Sequence, residues 1–263
     1  MLCLRRVSVR FAIGLCAFAA SVSTTRAGII NFDGRSHGEI VTDYYQRTKG
    51  ISITALNFQG GPDLPIAFDT TRTQTDDRDL EDPWTVGNLG ASHKANKILI
   101  LAENDIDANH DGKIDRPDDQ GSTPALGSAG QLTFDFAGVP QFALGLDLLD
   151  VETGDEIGYF AFYLRGTEVA RVTLAQFIDP ASSFYDPSIV FGDNSANRVQ
   201  PMTAQQLNIA AFDKLVIDMG ICYGVDNLTF EPFNGTLPAV PEPGALAAMG
   251  LAFTALARRR AKP

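Results

Sequence analysis

Asp107, Asn109, Asp111, Lys113, Asp115 and Asp118 fall in one short stretch and carry the sharpest chemical signal in this 263-residue sequence. Side-chain oxygens occupy loop positions 1, 3, 5, 9 and 12, with Gly112 at position 6 and the apolar Ile114 at position 8. This is the spacing of a calcium loop, in which alternate carboxylates turn inward on one hard cation. Gly112 permits the sharp turn, and Lys113 offers its backbone carbonyl. The expected cofactor is therefore Ca2+. Position 12 holds Asp118 where a longer, bidentate glutamate is usual, and Asp105 and Asp119 stand nearby as alternative donors. The flanks, 97–103 and 131–136, read as strands, which predicts a structural loop and not a sensor built on a helix pair.

Other groups give weaker signals. The acidic run at 76–82 lacks both the alternation and the glycine, and reads as a solvated loop. Asp33 near the first strand and Asp226 in the last make a second candidate pair of metal ligands, with capping or surface roles as the alternative. Trp84, the only tryptophan, follows Pro83 beside that acidic run. It is a candidate for stacking on a sugar ring, against the alternative of a packed side chain. Tyr44 and Tyr45 invite the same two readings. His37, His93 and His110 sit in polar, turn-like segments with no nucleophile elbow or zinc motif beside them. With 32 acidic residues, carboxylate pairs are unavoidable and therefore uninformative about glycosidic cleavage. No catalytic residue is assigned, and the expectation is a protein that is not an enzyme.

The elements that must position these groups are short. Apolar residues alternate with period two at 29–32, 51–56, 66–68, 97–102, 131–136, 143–149, 157–164, 168–174, 215–219 and 224–230, between clusters of Gly, Pro, Asn and Asp. These segments predict an all-β domain over 28–232, an antiparallel sandwich of jelly-roll type. Arg165-Gly166-Thr167 predicts a hairpin turn. Segments 174–178 and 203–211 are candidates for a helical turn or two.

Charge and cysteine usage narrow the partners. The chain has 21 basic and 32 acidic residues, a net charge of −11. Four bases lie in 1–27 and four in 244–263, with no acids in either, so residues 28–243 keep 13 bases against 32 acids, or −19. Such a field disfavours nucleic acid and anionic lipid and favours cations. Cys3 and Cys16 fall in the leader, leaving Cys222 alone in an apolar stretch. A lone thiol makes no internal disulfide, so the core must hold the fold, with metal as a candidate addition.

Both ends read as routing signals. Arg5, Arg6 and Arg10 precede the apolar run 11–20, and Thr25-Arg26-Ala27 forms a small-residue cleavage site, which together make a secretory signal peptide over 1–27. After a linker at 233–240, Pro241, Glu242 and Pro243 form a stiff stalk before the apolar run 245–257 and Arg258-Arg259-Arg260. This tripartite end resembles the PEP-CTERM sorting tail of exported proteins in Gram-negative bacteria that make exopolysaccharide. The resemblance implies transient inner-membrane anchoring through a short C-terminal helix, then processing by an exosortase. The destination would be the cell envelope, cell surface or extracellular matrix.

A second resemblance covers most of the chain between the two ends. Ile30-Asn31-Phe32-Asp33, Ile66-Ala67-Phe68-Asp69-Thr70, Pro117-Asp118-Asp119, the run 144–150, Gly192-Asp193-Asn194-Ser195 and the run 225–230 occur in an order similar to an exported bacterial jelly-roll domain. That domain has the shape of a carbohydrate-binding module and no shared reaction. Three functions follow, in descending order. They are a non-catalytic, calcium-stabilised envelope or matrix protein, a binding module for extracellular polysaccharide, and a glycan-active hydrolase.

Overall fold

Leu144, Leu146 and Leu148 alternate with Gly145 and Asp147, and only an extended strand sends the first set to one side and the second to the other. The computed structural model describes residues 27–118, 127–152, 157–221 and 223–237. The leader at 1–26, Asp119, Cys222 and the sorting tail with Pro241, Glu242 and Pro243 lie outside the described residues. Two antiparallel sheets pack as a sandwich. The first runs in the order β10 (Ala196–Thr203), β7 (Gln141–Leu149), β12 (Gly224–Pro232), β5 (Lys97–Leu101), β4 (Pro65–Asp69) and β2 (Glu39–Ile40), with β1 (Gly28–Ile30) also paired to β12. The second runs β3 (Ser52–Asn57), β6 (Gly130–Asp135), β11 (Lys214–Asp218), β8 (Tyr159–Leu164) and β9 (Thr167–Thr173). The short helices α1 (Tyr44–Lys49) and α2 (Ala175–Ile178) lie between strands. Among the described residues, no helix is long and apolar enough to cross a membrane.

Each expected strand is present, with ends shifted by two residues at most. Arg165 and Gly166 both take positive φ, 53° and 80°, between paired Leu164 and Thr167. That is a two-residue turn of the I′ kind, whose twist suits a tight hairpin. Segment 174–178 contains α2, whereas 203–211 forms turns and no helix.

The main core lies between the sheets. Leu144, Leu146 and Leu148 face Phe134, Phe160, Phe162, Leu215 and Ile217, all fully or almost fully buried. Phe162 and Phe136 meet Phe212 edge to face, with ring centroids 5.0 and 6.2 Å away.

A second apolar cluster covers the outer face of the first sheet. Ile66, Phe68, Ile98, Ile100 and Leu149 point outward from their strands and are buried under Leu80, Trp84, Ala95 and Ile114. The long connection between β4 and β5, and the calcium-type loop after β5, therefore form a third layer. This layer corrects the reading of 76–82 as a solvated loop, because Leu80 within it is fully buried. It also corrects the sugar-stacking role of Trp84, which is 1% exposed and presents no free ring face.

Candidate functional site

The calcium-type loop is docked by its one apolar residue. Ile114 inserts into the outer cluster, and its N–H donates to the Gly38 carbonyl at 2.9 Å. Gly38 has φ 75°, and a Cβ there would overlap the Ile114 carbonyl oxygen, so only glycine lets the two backbones meet.

Within the loop the polar side chains turn inward. The two Asp107 oxygens accept from the N–H groups of Asp111 and Gly112 at 3.1 and 2.9 Å. Asn109 Oδ1 accepts from Asp111 N–H at 2.8 Å, and Asp111 Oδ1 from Lys113 N–H at 3.0 Å. Asp115 accepts from Ala108 N–H and Asn109 Nδ2. Positive φ at His110 and Gly112, 59° and 81°, winds the chain around these oxygens. The side-chain oxygens of positions 1, 3, 5 and 9 are thus taken up by donors of the loop itself. Asp118 does not join them. It is 5% exposed, follows Pro117, and its Oδ2 accepts from Asp77 N–H at 3.2 Å. Burial, the largest cause, raises the Asp118 pKa. Among the described residues, no group of three or more His, Cys, Asp or Glu side chains is arranged to hold a metal.

A pocket of about 310 Å³ separates this loop from the 72–76 segment, lined by Gln74, Asp115 and Asp118 among others. His37 borders it as a neutral base. Its Nδ1 accepts from Asp69 N–H, and burial lowers its pKa to about 4. An imidazole fixed as an acceptor of backbone hydrogen is a structural part.

The second grouping lies on the outer face of the first sheet, under the third layer. Register places Arg198 of β10, Asp147 of β7 and Asp226 of β12 side by side. Asp147 is 0% exposed and receives both arms of the Arg198 guanidinium at 2.6 Å each. Its Oδ2 also accepts from Asn227 Nδ2 at 2.8 Å, and His93 Nε2 stands 4.0 Å away with no hydrogen-bond partner. The hydrogen bonds to Asp147 raise the Arg198 pKa.

Asp226 is the less satisfied acid. It is 2% exposed, and its Oδ1 has no partner. Burial pushes its pKa up to about 8, the charges of Asp147 and Asp33 add to the rise, and the Asn227 and Phe32 N–H groups offset part of it. β1 pairs with β12, so the chain segments that carry Asp33 and Asp226 are neighbours, but among the described residues no contact joins the two carboxylates. Asp33 itself is exposed. Tyr45 is buried with the main core and donates its hydroxyl to the Asn31 carbonyl. Tyr44 is exposed, with the Arg35 guanidinium 3.8 Å over its ring.

Asp147, Arg198, His93 and Asn227 were not among the expected site residues. Asp147 and Asp226 each belong to a fragment quoted for its fold resemblance, and a carboxylate at an outward position looks like any solvated strand residue. Only the covering layer makes it buried. Chemically, the Asp147–Arg198 fork neutralises itself, while burial favours the protonated form of Asp226. No known family model matches the chain, and no curated protein is similar to it.

Proposed function

We propose that this chain is an exported, non-catalytic protein of the cell envelope or extracellular matrix, with a jelly-roll-like sandwich stabilised by calcium. The sorting tail, with Pro241, Glu242 and Pro243, would route it through the inner membrane to an exosortase. The observation that carries the calcium part is the inward set of Asp107, Asn109, Asp111 and Asp115 around a glycine turn. These four side chains and the Lys113 carbonyl would hold the ion, which supplies compact positive charge and nothing catalytic. Asp118 stays with the neighbouring loop. A domain of −19 repels itself, and a divalent cation bound at a group of acids relieves part of that repulsion.

Calcium at about 100 times its dissociation constant adds roughly 2.7 kcal/mol. The full chain should therefore melt several degrees higher in calcium than in chelator. The Asp107→Ala, Asp111→Ala double variant should lose that part of the response. Equal responses of the variant and the parent would end this reading of the loop.

A glycan-binding module is the second reading, and one observation favours it. Tyr159 and Tyr163 share the outer face of β8 across Ala161, partly exposed, with Gln131 Nε2 donating to the Tyr159 hydroxyl and the Tyr163 hydroxyl donating to Glu168. The Arg171 guanidinium covers one face of the Tyr159 ring at 3.7 Å, so a sugar chain would take the remaining ring surface or displace that arginine. Glycan-array binding by the full chain, lost on Tyr159→Ala with Tyr163→Ala, would replace the structural reading. No binding by the parent chain would remove this one.

A further inference from the structure

Asp150 is buried just after β7 and forms no ion pair among the described residues. It is 3% exposed and takes φ 64°, which turns its side chain toward the 192–195 segment. Asp150 Oδ1 accepts from Asn194 N–H at 2.6 Å, and Asp150 N–H donates to the Ser195 carbonyl at 2.7 Å. Asn194 also has positive φ, 54°, and is 8% exposed. Its Nδ2 donates to the carbonyls of Asp79 and Glu81 at 2.9 and 2.7 Å. Those two bonds fix the carboxamide and leave Asn194 Oδ1 buried without any donor. Asp77 Oδ1 accepts from Asp79 N–H in the turn that Asn194 holds.

The charge balance is unfavourable as it stands. None of Asp77, Asp79 and Asp150 forms an ion pair among the described residues. Burial pushes Asp150 up to about 8, with the charges of Asp77, Glu152 and Asp79 adding to it. Burial likewise pushes Asp77 up to about 6. A buried carboxylate with no cationic partner is costly to ionise, and an amide oxygen without a donor adds a cost of its own. Both are relieved by one kind of ligand, a cation that accepts only oxygen donors. Magnesium demands a tight octahedron, whereas calcium accepts irregular sets of carboxylate and amide oxygens.

We propose that Asp150, the Asn194 Oδ1 and the Asp77–Asp79 turn form a calcium site distinct from the 107–115 loop, clamping the third layer to the end of β7. Asp150 and Asn194 are the fixed half, held by backbone hydrogen bonds. Asp77 and the exposed Asp79 are the half that closes, since these carboxylates do not yet converge with Asp150 as a ready metal set.

Calcium chloride is the probe, titrated calorimetrically into the full chain after stripping with chelator, with magnesium chloride as control. The background carries Asp107→Ala and Asp111→Ala, which removes the loop site and separates failure of that reading from failure of this one. The background should still bind calcium, and adding Asp150→Asn should weaken that binding at least tenfold. Adding Asp79→Asn, a change in an exposed side chain that leaves the core intact, should weaken it in the same direction. Asp150→Asn in chelator above pH 7 should also melt higher than its parent, because it removes an acid that ionises freely in the unfolded chain and is held against ionisation in the folded one. A background that binds no calcium, or binds it unchanged after both substitutions, overturns the proposal.

Discussion

Arg198→Ala should destabilise the full chain by about 3 kcal/mol, because it strands a fully buried carboxylate. Asp147 is 0% exposed and both of its oxygens are held by the guanidinium fork. The Asn227 amide remains after the substitution but supplies one neutral donor where a charged pair was lost. Arg198→Lys should recover only part of the loss, since an ammonium cannot bridge both oxygens in the same plane. Asp147→Leu combined with Arg198→Met should recover more, because an apolar pair leaves no buried charge behind. Urea unfolding of the four proteins at one pH measures this series. A loss below 1 kcal/mol for Arg198→Ala would mean that water reaches Asp147 and that the third layer is not a seal.

Asp226→Asn should flatten the fall of stability with rising pH. The sign follows from the raised acid. Below about pH 4 the carboxyl is neutral in both folded and unfolded chains and contributes no pH dependence. Between about 4 and about 8 the unfolded chain ionises while the folded chain keeps its proton, so the folded state binds more protons. Stability then falls with pH by on the order of 1 kcal/mol per unit. Above about 8 both states are ionised and the slope ends. Asp150, pushed up to about 8 as well, adds a similar slope, so the difference between parent and Asp226→Asn isolates Asp226. Melting in chelator from pH 5 to 8 tests this, and identical slopes for the two proteins would show that Asp226 is ionised throughout. In calcium, a flattened slope in the parent alone would show Asp33 and Asp226 sharing an ion.

The strands were legible because their inward residues repeat with period two, as Leu144, Leu146 and Leu148 do. β10 was not legible. It is an edge strand with Pro201 and a register shift between Val199 and Met202, and its exposed residues are polar. An edge tolerates proline, which would be excluded from a central strand. α1 is a single short turn of helix ended by Gly50 in the left-handed region, too brief to show a helical period. The third layer was illegible for a different reason. Leu80, Trp84, Ala95 and Ile114 are spread along loops with no repeat, so nothing local says that they share one cluster. The calcium-type loop was legible because its chemistry lies in consecutive residues. The Asp147–Arg198–Asp226 grouping was not, because it depends on which strands lie side by side and on what covers them.

Asn194 and Thr85 give the third layer a place in time as well as in space. The bonds from Asn194 Nδ2 to the Asp79 and Glu81 carbonyls join residues more than 100 positions apart, and so does the bond from Thr85 N–H to the Asn194 carbonyl. Closing loops of that length has an entropic cost that is met only once β7 and the 192–195 segment are in place. Loop closure thus predicts that the layer over residues 70–96 assembles after the sandwich, an order that hydrogen exchange of its amides against those of β7 would test.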